Sequence, residues 1–124
     1  MPETQHTVLI VDDDPDLLDT FRLVLEKHGY KMIGAQTAED GLRQYKQSRP
    51  DLILVDLMME EVDSGTNFVK ELRVLGNTVP VYLLSSVGDG LHSSIDYSEL
   101  GLSGIFQKPI NIPTLLTTLR TKLE

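Results

Sequence analysis

The chain contains no cysteine, which excludes a disulfide framework and a thiolate metal site. No stretch approaches the roughly 20 apolar residues of a membrane span, and the first residues lack the pattern of a signal peptide. Positive charge is scarce. Eleven lysines and arginines face 19 aspartates and glutamates, a formal net charge of −8. Such a surface repels phosphates, so neither direct nucleic-acid binding nor membrane association is expected. Internal repeats, low-complexity tracts and interior linkers are missing as well, and only residues 1–6 read as a loose leader. What remains is an ordinary globular mixture, 40% hydrophobic and 24% charged. Its 124 residues suffice for one domain, 1–124, with a core of its own. A cytoplasmic protein is the default expectation.

The most informative stretch is Asp51-Leu-Ile-Leu-Val-Asp56. Leu52, Ile53, Leu54 and Val55 form an apolar run without alternation, which predicts a strand buried on both faces of a parallel sheet. It stops on Asp56, at the carboxyl end of the strand, where ligands bind in open α/β sheets. The plainer alternative is that Asp56 caps the next segment. Thr7-Val-Leu-Ile-Val11 repeats the signature and is followed by Asp12, Asp13 and Asp14. Asp14-Pro15 before Leu17, Leu18, Phe21 and Leu25 is a helix N-cap with proline in the first turn, and Gly29 closes that helix. Asp12 and Asp13 have no such structural task. Adjacent carboxylates repel unless a cation lies between them or one holds a proton. Oxygen-only ligands favour magnesium or calcium over zinc.

Residues 30–35 form a second, weaker strand, and Thr37 with Asp40 resembles a capping box ahead of Ala38, Leu42 and Tyr45. A loop over 58–64 leads to a helix from Gly65 through Leu75, with Phe68, Val69 and Leu72 inward. Residues 79–84 predict a fourth buried strand ending on Ser85 and Ser86; a serine there is commonly a backbone cap. Residues 87–100, rich in glycine, serine and aspartate, predict a short frayed helix from about 91 to 100. Residues 105–107 form a fifth strand, after which Pro109 holds Lys108 extended. A solvated surface lysine is the simpler reading of Lys108 taken alone. Asn111 caps a last helix whose stripe is Leu115, Leu116, Leu119 and Leu123. Five strands alternating with five helices predict a doubly wound α/β fold, a five-stranded parallel sheet between two helical layers. On such a sheet Asp12, Asp13, Asp56, Ser85 and Lys108 converge on one rim.

Four motifs in this order, Val11-Asp12-Asp13-Asp14-Pro15, Leu54-Val55-Asp56-Leu57-Met58-Met59, Leu84-Ser85 and Lys108-Pro109, resemble the receiver domain of two-component response regulators over essentially the whole chain. The resemblance implies a flavodoxin-like (βα)5 sandwich with strand order 2-1-3-4-5, the order of chemotaxis receivers. It implies a phosphoacceptor at Asp56, with Ser85 and Lys108 on the phosphoryl oxygens. Magnesium would be held by Asp13, Asp56 and the Met58 backbone carbonyl, with Asp12 acting mostly through water. The phosphoryl donor would be a sensor histidine kinase or a histidine phosphotransfer protein, and the product a switched surface read by an output domain or protein. Such a domain is not an enzyme with turnover of its own, although it assists its own phosphotransfer and dephosphorylation. The other reading of an aspartyl nucleophile on such a sheet is a magnesium-dependent hydrolase. Phosphatases of the haloacid dehalogenase type would want a second aspartate where Met58 stands. Three features depart from the family pattern: Glu60-Glu61 where proline and glycine are usual, a loop one residue longer before Gly65, and Ile105 in place of the usual switch aromatic.

Overall fold

The computed structural model describes residues 5–56, 64–85 and 102–123, with the side chains of 64–67 left aside. Five strands, β1 (Thr7–Val11), β2 (Lys31–Ala35), β3 (Leu52–Asp56), β4 (Val81–Ser85) and β5 (Gly104–Gln107), form one sheet in the order β2-β1-β3-β4-β5. All pairs are parallel, with Val11 level with Val55 and Asp56 level with Leu84. The described helices are α1 (Pro15–Lys27), α2 (Ala38–Ser48), α3 (Ser64–Val74) and α4 (Ile112–Leu123). This is the flavodoxin-like order expected. The helix expected over 91–100, and the loop over 58–63, lie outside the described residues.

The apolar runs divide between two cores because successive strand residues face opposite ways. Val8, Ile10, Leu52, Leu54 and Leu84 meet Phe21 and Leu25 of α1 and Leu115 and Leu119 of α4. Leu9, Val11, Ile53, Val55 and Leu83 meet Phe68, Val69 and Leu72 of α3. Every residue of β3 and β4 is buried, which a strand covered on both faces requires. At the close approach of α2 to β1, a Cβ on Gly41 would lie 2.8 Å from Val11 Cγ2 and 2.9 Å from Phe68 Cε1. Gly41→Ala gains about 1 kcal/mol of helix propensity but overpacks a rigid junction, which costs roughly 1–3 kcal/mol. A net loss of stability in urea unfolding is expected; an unchanged or raised midpoint would contradict this packing.

The caps follow the sequence with small corrections. Asp14 accepts from the Asp16 and Leu17 N–H groups, and Asn111 accepts from Thr114 N–H at 2.9 Å. Thr37 accepts from Asp40 N–H, but Asp40 turns its carboxylate to Arg43, so only half of the expected capping box forms. Tyr30 belongs to the closure of α1 and not to β2. Its N–H reaches Leu25 O at 2.9 Å while Gly29, at φ +90°, donates to Glu26 O. That is a Schellman closure, and it needs the left-handed glycine. β4 begins at Val81 and not at 79, because the Asn77 side chain bonds both the N–H and the carbonyl of Val79 and holds that segment in a turn.

Candidate functional site

The rim at the carboxyl ends of the strands gathers the acids singled out in the sequence. β1 carries Asp12 to the rim, where its N–H donates to Ala35 O at 2.9 Å, one step beyond the ladder with β2. Its Oδ1 accepts from Asp14 N–H at 3.0 Å, holding the turn into α1. Asp12 therefore has a structural task that the sequence did not reveal. It is wholly buried, while Asp13 beside it is exposed. Asp56 closes β3 at 4% exposure. Asp12, Asp13 and Asp56 each offer a carboxylate oxygen, and these oxygens lie within 4.8 Å of one another.

Lys108 reaches the same point from the end of β5. Its N–H donates to Ser85 O at 2.6 Å, tying the ends of β4 and β5 together, and a cis peptide joins it to Pro109. Nζ lies 3.0 Å from Asp12 Oδ2 and 3.5 Å from Asp56 Oδ1. The lysine thus sits closer to Asp12 than to the expected Asp56. Burial, the largest single influence on Lys108, works against its charge; the Asp12 carboxylate and then Asp56 outweigh it and raise the pKa above its ordinary value. The contribution of this pairing to folding is complete below the ordinary lysine value and is lost only as pH rises through the raised one.

Ser85 ends β4 at 3% exposure, one residue past the register partner of Asp56. It stands on the same rim. Met58, Glu60 and Glu61 lie outside the described residues. Ile105 is 39% exposed, and Phe106 packs beneath the sheet against Tyr82, with ring centroids 5.3 Å apart. The two residues face opposite ways, as expected for neighbours on a strand.

One observation bears on what the acids hold. Asp12 Oδ2 is buried, and among the described residues the Lys108 ammonium at 3.0 Å is its one polar partner. Three clustered carboxylates against a single ammonium fit a hard divalent cation with oxygen ligands.

A doubly wound sheet with three carboxylates, a serine and a lysine on its carboxyl rim is the architecture of a phosphoacceptor signalling module. A family model describing the response regulator receiver domain matches residues 8–120, and the chain belongs to that family. Among curated relatives, the transcriptional regulatory protein GlrR of Escherichia coli is 30% identical over 117 residues, covering 94% of this chain and 26% of that protein. The transcriptional regulatory protein PrrA of Mycobacterium tuberculosis is 32% identical over 125 residues, covering 98% of this chain and 51% of the relative. The chain thus spans about a quarter to a half of the length of these relatives. Among solved structures, a CheY-like receiver domain protein from Methanospirillum hungatei superposes with a TM-score of 0.86 at 28% identity, covering 97% of this chain and 94% of that one. The chemotaxis response regulator CheY4 of Vibrio cholerae gives 0.84 at 29%, covering 97% and 100%. Membership in this family of signalling domains disfavours the hydrolase reading. Magnesium at an acidic pocket is a general feature of the family. Among the described residues, no helix is long and apolar enough to cross a membrane.

Proposed function

We propose that this chain, as a single domain over 1–124, accepts a phosphoryl group on Asp56 in the presence of magnesium. The observation that supports this most is a carboxylate at 4% exposure, ending a buried strand beside Asp12, Asp13 and a lysine ammonium. An acid so placed contributes nothing to packing, and two further carboxylates with one ammonium beside it suit a site that takes up a metal ion and an anionic group. In the reaction, a carboxylate oxygen of Asp56 forms the new P–O bond while the P–N bond to a phosphohistidine breaks. The pair of the P–N bond stays on that imidazole nitrogen, and the ring leaves neutral because its other nitrogen carries the proton. Lys108 balances charge on the carboxylate and the incoming phosphoryl oxygens, and Ser85 donates a hydrogen bond to one of them. Asp12, Asp13, Asp56 and the Met58 carbonyl are the residues that would hold magnesium. When bound it supplies the positive charge that lets an anionic group approach three carboxylates.

In this reading the domain works in the cytoplasm, a sensor histidine kinase or a histidine phosphotransfer protein is the donor, and an output domain or protein reads the phosphorylated surface. Incubation with magnesium and a small acyl phosphate, followed by intact-mass measurement, tests it. A stable adduct of one phosphoryl group supports a receiver. Release of phosphate with no adduct supports a hydrolase.

The lifetime of the adduct is a separate expectation. In-line attack by water needs a polar side chain to orient it. The two positions that flank this path in related proteins are Met58 and Val87, which cannot bond water; both lie outside the described residues. Loss of phosphate is expected to be slow and to quicken in Met58→Asn. A wild-type protein that already decays as fast as Met58→Asn would contradict this, and slowing in Glu60→Ala would show that Glu60 orients the water.

A further inference from the structure

At the rim opposite Asp56, the C-terminal ends of α2 and α3 frame an open groove. Its main part has a volume of about 370 Å³, walled by Tyr45, Pro50, Leu75 and Val79, with Lys46 and Arg49 at its edge. A second hollow of about 250 Å³ shares its floor at Asn77, Thr78 and Val79 and adds Arg73. Apolar surface continues outward from this groove. Val74 is 82% exposed and Leu75 45%.

Charge here runs against the rest of the molecule. In a chain of net charge −8, Lys46 and Arg49 border this groove, and their side chains have no ion-pair or hydrogen-bond partner among the described residues. Asp51, next in the chain to Pro50, directs one carboxylate oxygen to the Thr7 N–H at 2.8 Å and makes no ion pair with either cation. The helix C-termini that frame the groove add only partial negative charge, about half an elementary charge each. Exposed valine and leucine near the unpaired Lys46 and Arg49 is the composition of an interface with an apolar centre and a charged rim.

We infer that this groove docks an acidic segment of a partner protein, one that places an apolar side chain between Tyr45, Pro50, Leu75 and Val79 and its carboxylates against Lys46 and Arg49. Nucleic acid, the other anionic partner, lacks the aliphatic anchor that the apolar walls call for. The groove lies on the rim away from Asp56, so docking here leaves the phosphorylation site open. A partner could hold the domain in place while phosphotransfer proceeds.

The test is an amide-resonance titration with a synthetic peptide, Asp-Glu-Phe-Glu-Leu-Asp, against two controls: one with its acids replaced by amides, one with its apolar residues replaced by serine. Expected are shifts concentrated at residues 45–50 and 73–79, weakened by salt and by either control peptide. The surface variant Lys46→Glu/Arg49→Glu should lower affinity by about tenfold or more, with folding intact in its spectrum. Shifts elsewhere, or equal binding by the double variant or by either control, would overturn the inference. So would shifts in this groove that follow the concentration of the protein alone, because the occupant would then be a second copy of the chain.

Discussion

Asp56→Asn is expected to take up no phosphoryl group from acyl phosphate or phosphohistidine, at any magnesium concentration. An amide oxygen is not a nucleophile towards phosphorus at neutral pH, and the described rim offers no equivalent replacement. Asp12 is wholly buried, its Oδ1 is engaged by Asp14 N–H, and its Oδ2 lies against Lys108. Asp13 is exposed and lacks the flanking lysine contact that Asp56 has. The fold itself should not suffer. Asparagine keeps the shape of the side chain and removes one of two buried acids on the rim, so thermal stability without metal should be equal or higher. Time-resolved mass measurement reads the uptake, and a thermal melt reads the fold. Labelling of the variant at the wild-type rate would remove Asp56 from its central place.

Lys108→Ala is expected to have the second largest effect, and to show it differently with and without metal. The ammonium is 3.0 Å from a carboxylate with no other donor on that oxygen and 3.5 Å from a second carboxylate. Removing one partner of a buried pair leaves an uncompensated charge. The lysine side chain is 23% exposed, so water relieves part of the cost, and a loss of about 1–3 kcal/mol without metal is expected. Saturating magnesium should recover most of it, because a dication at the same carboxylates takes over the compensation. Urea unfolding of both proteins with and without magnesium tests this. An equal loss with and without the metal would mean that the lysine and the cation do not share the Asp12 and Asp56 charges. Phosphoryl uptake by the variant should be slowed as well, since the lysine balances charge on the incoming group.

Most of the fold could be read from patterns that are physically overdetermined. The unalternating runs ending at Val11 and Asp56 have no stable place except a sheet covered on both faces. Asp14-Pro15, Thr37 and Asn111 signal helix starts because each satisfies amide groups that the helix leaves open. The misreadings are cases where a side chain outside the pattern intervenes. Asn77 captures Val79, which hydrophobicity alone assigns to β4. Arg43 draws the Asp40 carboxylate away from the helix start. The closure at Gly29 draws Tyr30 into α1.

The site was legible as a set of residues and less so as a geometry. Asp12, Asp13, Asp56 and Lys108 are brought together, and Ser85 stands on the same rim. Nothing in the sequence indicates that Asp12 also holds the turn to Asp14, or that Lys108 prefers Asp12 over Asp56. The first is a local turn between residues two apart that hydropathy does not register; the second depends on side chains reaching across distant strands, which periodicity does not encode. The groove at the opposite rim escaped for the same reason. Lys46 lies in the last turn of α2, and Arg49 and Leu75 directly follow α2 and α3, so each looks ordinary when read singly.

The central claim is that phosphorus ends on Asp56, and borohydride reduction of the phosphorylated protein tests it most directly. Hydride converts an aspartyl phosphate to homoserine and leaves free carboxylates untouched, so the modified position can be read by peptide sequencing. Homoserine is expected at position 56, only in samples that contained magnesium. Homoserine at another aspartate, or a label that survives reduction as a serine phosphate, would contradict it.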